Sequence, residues 1–156
     1  MDINIRNAKK KDMKRVHELI MELAKYEKLP KEVDINTNDL IKDCFGKKKL
    51  FNCFVAEVNS KIEGMAIVYN RYSTWKGETL HLEDLIVTKN MRNMGIGALL
   101  LDKVILFGKE MGVKRITWEV IDWNKKAIKF YERKGAKLID DWSIIHLNEE
   151  AIKNYH

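Results

Sequence analysis

The amino-acid sequence predicts an α/β fold, α+β in some schemes, with a mixed central sheet of about seven strands flanked by helices. Three observations support this prediction. Apolar residues recur at helical spacing near the start of the chain, alternate with a period of two from Leu50, and then form a strand that runs into a glycine turn and a helix. With 46% apolar residues, one proline and eight glycines, residues 1–156 are expected to form a single domain without linkers.

The first half of the chain predicts a strand, two helices and an antiparallel meander. Asp12 and Thr37 are candidate helix caps, since each precedes apolar residues at helical spacing. The predicted strands cover residues 3–6, 51–58, 62–72 and 78–88. A tight hairpin at residues 59–61 is expected to join the first two strands of the meander.

The second half predicts helices that alternate with shorter strands. A helix over residues 98–111 ends at Gly112, and a strand over residues 114–121 follows it. Because a helix connects this strand to the strand before the glycine turn, the two are expected to be parallel. The remaining predicted elements are a helix over residues 124–134, strands over 137–139 and 142–147, and a terminal helix over 149–155.

The glycine turn has the residue pattern R-x-x-G-x-G, which runs from Arg92 to Gly97 after an apolar strand. Gly95 and Gly97 carry no Cβ, so the backbone can approach a ligand closely, and the exposed N–H groups of the following helix attract anions. The turn lacks the Gly-Lys-Ser/Thr of a Walker loop and the third glycine of a dinucleotide fingerprint. The pattern therefore indicates a cradle for a diphosphate.

Two segments of the chain resemble signatures of the GNAT superfamily of acetyltransferases. The R-x-x-G-x-G turn is similar to the loop by which these enzymes hold the pyrophosphate of acetyl-coenzyme A, and residues 124–135 are similar to N-x-x-A-x-x-F-Y-x-x-x-G. The two segments in this order are far more specific than either alone. Further segments resemble the spermidine/spermine (diamine) acetyltransferase family, which includes a thialysine-acetylating branch. These segments are residues 23–27, 45–46, 53–57, 75–77, 82–84 and 119–124.

The resemblance covers residues 3 to about 147 and implies the GNAT fold, acetyl-CoA as cosubstrate, a small-molecule amine as acceptor and a homodimer. The acetyl-CoA contacts that it implies, together with the arginine of the glycine motif, are Leu85, Ile86, Val87, Arg92, Asn93, Met94, Gly95, Ile96, Gly97, Ala98, Asn124, Lys125, Lys126, Ala127 and Lys134. The amine contacts that it implies are Tyr26, Glu27, Glu83, Thr117, Trp118 and Glu119. The general acid that it implies is Tyr131.

The chain departs from this family in two places. The hairpin at residues 58–61 is much shorter than in the animal enzymes. The loop at residues 72–75 reads Tyr-Ser-Thr-Trp and lacks the carboxylate that the family places near the amine. The loop therefore bears on the choice of amine rather than on the reaction.

Acetylation of an amine requires a residue that binds an ammonium group and a group that removes its proton, because a primary amine has a pKa of roughly 10.4. Candidate carboxylates in this chain, whose net charge is +6, are Glu27, Glu83, Asp84, Glu119 and Asp122. Glu83 is the candidate for a base that acts through a water molecule, and Asp84 is a candidate substrate contact. Adjacent strand residues face opposite sides, so one of these two carboxylates is expected to point away from the amine, solvated or in a structural ion pair.

The later steps require an oxyanion donor and an acid. The backbone N–H of Leu85 or a neighbour is the expected oxyanion donor, and Tyr131 can protonate a departing thiolate of pKa ~8.5. Cys53 offers an acetyl-cysteine route and His81 an alternative base. Because an apolar strand favours a core thiol for Cys53, direct transfer in a ternary complex is preferred.

Composition also limits the partners of the protein. Lysines are scattered over the predicted helices without interleaved aromatic residues, so no nucleic-acid partner is expected. No apolar run approaches the ~20 residues of a transmembrane helix and no signal-peptide core is present, so a cytoplasmic protein with no membrane partner is expected. Histidine and cysteine spacing predicts no metal site, and Cys44 and Cys53 are expected to be reduced. Two other hypotheses stay open: an acetyltransferase for thialysine or another lysine-like amine, and a CoA-binding module without turnover.

Overall fold

A five-stranded sheet organises the first of the two compact units into which the chain divides. The computed structural model describes residues 1–156, and the units are Met1–Glu119 and Val120–His156. The strands are β1 (Ile3–Asn7), β2 (Asn52–Val58), β3 (Lys61–Ser73), β4 (Gly77–Val87) and β5 (Ile116–Trp118). They lie in the order β1-β2-β3-β4-β5 and are antiparallel except for the parallel pair β4 and β5. The mixed α/β class and the parallel pairing across the glycine turn are therefore confirmed.

The chain contains five α-helices. The first unit contains α1 (Met13–Tyr26), α2 (Thr37–Phe45) and α3 (Ile96–Met111), and the second contains α4 (Lys125–Arg133) and α5 (Glu149–Lys153). Each predicted helix is present, with ends that differ by a few residues at most. No helix combines the length and the apolar character that crossing a membrane requires.

The structure corrects both predicted helix caps. Asn36, rather than Thr37, caps α2, and its Oδ1 accepts hydrogen bonds from two N–H groups of the first turn at 2.8 and 3.1 Å. Asp12 precedes α1, but its carboxylate accepts from the Lys9 backbone N–H and from Nη1 of Arg6, both at 2.7 Å. A hydrogen bond from a guanidinium is stronger than one from a neutral N–H, so Asp12 anchors the end of β1 instead of capping the helix.

The two faces of the sheet carry different helices. One face packs against α1 and α2 through a buried core of Met13, Val16, Leu19, Leu40, Cys44, Cys53, Val55, Met65, Ile67 and Ile86. On the other face, Phe107 of α3 meets Phe54 of β2 edge to face, with 5.3 Å between the ring centroids. Alternation along β2 explains this division, because neighbouring side chains point to opposite faces. The centre of the sheet is thus covered on both sides.

The two strands predicted over residues 137–139 and 142–147 are wrong, and the sheet has five strands rather than about seven. Apolar residues do occur there, but Leu138, Trp142 and Ile145 are exposed. A strand is stable only when its backbone N–H and C=O groups pair with another strand, and the second unit contains no other strand. The strand predicted over 114–121 is also shorter, as β5. The assignment of residues 1–156 to a single domain stays a prediction.

Candidate functional site

A β-bulge in β4 positions the acidic pair of the candidate site. Ile67 of β3 pairs with Asp84, and the next residue, Val68, pairs with Leu82, so Glu83 is an extra residue without a partner on β3. Bulges of this kind re-aim a side chain and are common next to active sites. The side chain of Glu83 is 54% exposed, whereas Asp84 is partly buried. The bulge therefore gives two adjacent carboxylates different environments.

Two of the predicted acidic residues act on a third, Asp84, where α1 ends beside β4. Burial, followed by the negative charges of Glu83 and Glu27, raises the pKa of Asp84 to about 7. Burial also raises the pKa of Glu27, which follows α1 directly. Neighbouring carboxylates repel one another in the absence of a cation. This cluster is therefore suited to bind an ammonium group.

A polar row crosses three strands next to Glu83. Tyr69 of β3 pairs in register with His81 of β4, and His81 pairs with Thr117 of β5. The ring of His81 is buried and lies 5.1 Å from the ring of Tyr69, centroid to centroid. Glu119 follows β5. Burial raises the pKa of Tyr69, and the charges of Glu83 and Glu119 add to this effect. The structure thus brings the predicted contacts Glu83, Thr117 and Glu119 to one part of the sheet.

The partners of His81 define its tautomer. Nδ1 lies 2.8 Å from Oγ1 of Thr117 and 3.4 Å from Nη1 of Arg71, while Nε2 lies 3.7 Å from Oε2 of Glu83. Because a guanidinium only donates hydrogen bonds, we assign Nδ1 as the acceptor and place the proton on Nε2, towards Glu83. Burial lowers the pKa of His81, although the charge of Glu83 opposes this effect. The imidazole is therefore neutral at pH 7, and its N–H faces the candidate base.

The glycine turn between β4 and α3 has the backbone geometry that an anion cradle requires. Gly95 precedes α3 with a φ of +82°, a left-handed conformation that favours glycine. A Cβ built on Gly97 meets only Cγ2 of Val87, at 3.8 Å, so the protein itself does not require glycine there. The N–H groups of the first turn of a helix lack partners within it. The residues of this turn therefore fit a pyrophosphate. The predicted contacts of residues 93–98 lie on the turn and on the first residues of α3.

Arg92, the arginine of the glycine motif, is held by the protein. Its Nε donates to the Val87 carbonyl at 2.9 Å, its guanidinium carbon lies 5.1 Å from the centroid of the Tyr26 ring, and Nη2 lies 3.8 Å from Oε1 of Glu22. Glu22 of α1 also accepts hydrogen bonds from Oγ1 of Thr88 and the backbone N–H of Lys89, both at 2.9 Å. One carboxylate on α1 thus holds the start of the glycine turn.

Trp118 lies in β5 and residues 85–87 end β4, whereas the second unit holds the predicted residues from Asp122 onwards. Oδ1 of Asn124 accepts a hydrogen bond from the N–H of Ala127 at 3.2 Å and caps α4, which explains the asparagine of the second signature structurally. Tyr131 lies on α4, with its ring centroid 5.3 Å from that of Phe130. Lys125 and Lys126 begin α4, and Lys134 follows its last residue. Asp122 also belongs to this unit.

Cys53, the nucleophile of the alternative route, is 4% exposed in β2. Burial strongly raises the pKa of its thiol, and the nearby Cys44 raises it further. A thiolate is the nucleophilic form of cysteine, and a buried apolar environment disfavours it. The structure therefore gives Cys53 the environment of a core residue.

Sequence reasoning missed Tyr69, Arg71 and Glu22. Alternation in the third predicted strand could have placed Tyr69 and Arg71 on one face, since they are two residues apart. No local signal pairs either residue with His81. The contact of Glu22 with Thr88 joins residues that are 66 positions apart, so it follows only from the packing of α1 beside the glycine turn.

Comparison with known proteins identifies relatives over nearly the whole chain. The model of the acetyltransferase (GNAT) family matches residues 13–136. A thialysine N-epsilon-acetyltransferase of Bos taurus is 35% identical over 97% of this chain and 95% of that protein. The human spermidine/spermine N(1)-acetyltransferase-like protein 1 is 31% identical over 95% of this chain and 23% of that protein.

The fold also matches solved structures. An integron cassette protein from the mobile metagenome of V. cholerae superimposes with a TM-score of 0.80 at 21% identity, covering 98% of this chain and 96% of that one. At this identity the similarity supports the fold alone. The sequence relatives, in contrast, are close enough to define the family.

Proposed function

Because the chain belongs to the GNAT acetyltransferase family, we propose that it transfers the acetyl group of acetyl-CoA to a primary amine of a small molecule that carries a second ammonium group. The observation that supports this choice of acceptor is the cluster of Glu27, Glu83 and Asp84, in which each carboxylate lowers the energy of a bound cation. The cluster reverses the sign of a chain whose net charge is +6. Solubility alone does not require such a local reversal.

The proposed reaction is direct transfer in a ternary complex. The ammonium loses a proton, its nitrogen attacks the thioester carbonyl carbon, the carbon–sulfur bond breaks, and the CoA thiolate leaves with its electron pair and takes up a proton. Glu83 removes the first proton through a water molecule, because its side chain is exposed and its Oε2 lies 3.7 Å from Nε2 of His81. Asp84, with a pKa of about 7, binds the cation as a carboxylate.

Two further groups complete the proposal. The N–H of Leu85, directly after Asp84 in β4, stabilises the oxyanion, and the phenol of Tyr131 protonates the thiolate. Acetyl-CoA supplies the activated acyl group, and the glycine turn holds its pyrophosphate, with Asn124–Ala127 and Lys134 as further contacts. The buried thiol of Cys53 does not favour an acetyl-cysteine intermediate.

The test is an assay of CoA release from acetyl-CoA with a panel of diamines, polyamines, diamino acids and monoamines of equal length. We expect turnover with the acceptors that carry two ammonium groups, and a loss of kcat of roughly 10²- to 10⁴-fold in Tyr131→Phe without a matching loss of acetyl-CoA affinity. Tight binding of acetyl-CoA with no turnover of any amine would instead identify a CoA-binding module.

Two acceptor classes satisfy the carboxylate cluster. Diamines and polyamines are the first, by resemblance to the spermidine/spermine family. A thialysine-like amine is the second, and the bovine relative, which matches 97% of this chain, favours it. The homodimer and the cytoplasmic location remain predictions, and light scattering of the purified protein measures the first.

A further inference from the structure

The polar row beside Glu83 carries both positively and negatively charged side chains. Arg71 of β3 and Glu83 of β4 approach the imidazole of His81 through different ring nitrogens, at 3.4 Å and 3.7 Å. Glu119 directly follows Trp118 of β5, which pairs in register with Leu82, the residue before Glu83. This row therefore offers a ligand two carboxylates and one guanidinium, separated by a neutral ring.

A carboxylate-free diamine complements this row poorly. Its two ammonium groups match the two carboxylates, but they leave the Arg71 guanidinium opposite a second cation, which is repulsive. A diamino acid carries two ammonium groups and one carboxylate, which is the complementary set. Thialysine, the substrate in the name of the bovine relative, belongs to this chemical class.

Arg71 retains hydrogen-bonding capacity for such a ligand. The residue is exposed, and its contact with His81 uses one of its five N–H donors at a long distance of 3.4 Å. Guanidinium and carboxylate groups form paired hydrogen bonds whose planar geometry adds specificity. His81 keeps the guanidinium and the candidate base on opposite edges of one buried ring, and its other Nδ1 contact, with Thr117, fixes that ring.

Building on the proposed acetyltransfer, we infer that the acceptor is a diamino acid whose carboxylate is bound by Arg71, with its distal amine at Glu83 and its other ammonium near Glu119. Arg71 is then the residue that distinguishes diamino acids from diamines. The acetyl group is transferred to the distal nitrogen.

The experiment measures kcat/KM for two matched pairs of acceptors: thialysine with bis(2-aminoethyl) sulfide, and lysine with 1,5-diaminopentane. The second member of each pair lacks only the carboxylate. We expect the wild-type protein to prefer the carboxylate-bearing member by roughly 10- to 100-fold, the range of a charge-assisted pair. In Arg71→Gln this preference falls close to one, because diamino-acid turnover drops and diamine turnover rises. Arg71→Lys restores part of the preference, and mass spectrometry of the product locates the acetyl group.

Lys76→Gln is the matched control, since Lys76 is an exposed cation at the turn between β3 and β4. It should keep the wild-type preference. Wild-type protein that favours the diamines, or Arg71→Gln that lowers both members of a pair equally, overturns the assignment of Arg71. Failure of the proposed function looks different, because then no acceptor releases CoA in the wild-type protein.

Discussion

The middle of β4 and the turn that follows it differ in what they present to a ligand. The region around Glu83 presents charged side chains, and burial and neighbouring charges shift the pKa of Asp84 and His81. The glycine turn presents backbone N–H groups, and the arginine of the motif is held by Val87, Tyr26 and Glu22. We therefore expect binding at the first region to depend on charge and binding at the second to depend on the space beside the backbone. Substitutions that change only the charge or only the size of a side chain test this difference.

The largest effect is expected from added bulk at the glycine turn. Gly97→Val should abolish measurable acetyl-CoA binding while the protein stays folded, because a Cβ has room within the protein but occupies the space of the pyrophosphate. Calorimetric titration measures the affinity and thermal unfolding measures the fold. Gly97→Ala is the graded control and should weaken binding less. Wild-type affinity in folded Gly97→Val would mean that the pyrophosphate binds elsewhere.

The next largest effect is expected from removing a charge without changing shape. Glu83→Gln should lower kcat by roughly 10²- to 10⁴-fold, the range for loss of a general base, with unchanged acetyl-CoA affinity. His81→Gln should have a smaller effect, since it removes the ring beside Glu83 but leaves the carboxylate of the candidate base in place. Steady-state kinetics across pH separates the two variants. Equal losses in both would make His81 the base, the alternative that the sequence left open.

These two regions were not equally predictable from the sequence. The glycine turn depends on consecutive residues, so its pattern identifies both the left-handed Gly95 and the start of α3. The charged row depends on how β3, β4 and β5 align. The bulge at Glu83 shifts that alignment by one residue, and alternation along a single strand cannot reveal such a shift.

Outside the site, the predicted cap of α2 and two predicted strands were wrong for similar physical reasons. The cap of α2 moved by one residue because Asn36 and Thr37 are both good capping residues and the chain offers them side by side. The strands predicted near Trp142 failed because alternation measures the pattern of one segment, whereas a strand needs a partner. The sequence therefore predicts sites that consecutive residues form, whereas sites that residues of different strands form follow only from the structure.

A moderate effect is expected on the pH dependence of stability. The pKa of Asp84 is raised to about 7 in the folded protein, from about 3.9 in an unfolded chain, so the folded state holds the extra proton between these values. The free energy of unfolding should therefore fall as pH rises from about 4 to 7. Asp84→Asn should flatten this fall and be more stable than wild type at pH 8. Urea unfolding across pH measures it, with the exposed Asp34→Asn as control, and identical slopes in wild type and Asp84→Asn would remove Asp84 from the charge cluster.

The smallest effect is expected where the two regions meet. Glu22 accepts two hydrogen bonds from the start of the glycine turn and lies near Arg92, whose guanidinium covers the Tyr26 ring. Glu22→Gln keeps the shape but removes the charge, so we expect KM for acetyl-CoA to rise by about tenfold, the range of a lost charge-assisted hydrogen bond. KM for the amine should change by less than about threefold. Glu18→Gln, one turn earlier on α1 and paired with Arg15, should change neither constant. If the two KM values rose together in Glu22→Gln, the charged region and the glycine turn would be coupled through Arg92 and Tyr26, and their separation into a charge-dependent and a space-dependent region would fail at this residue.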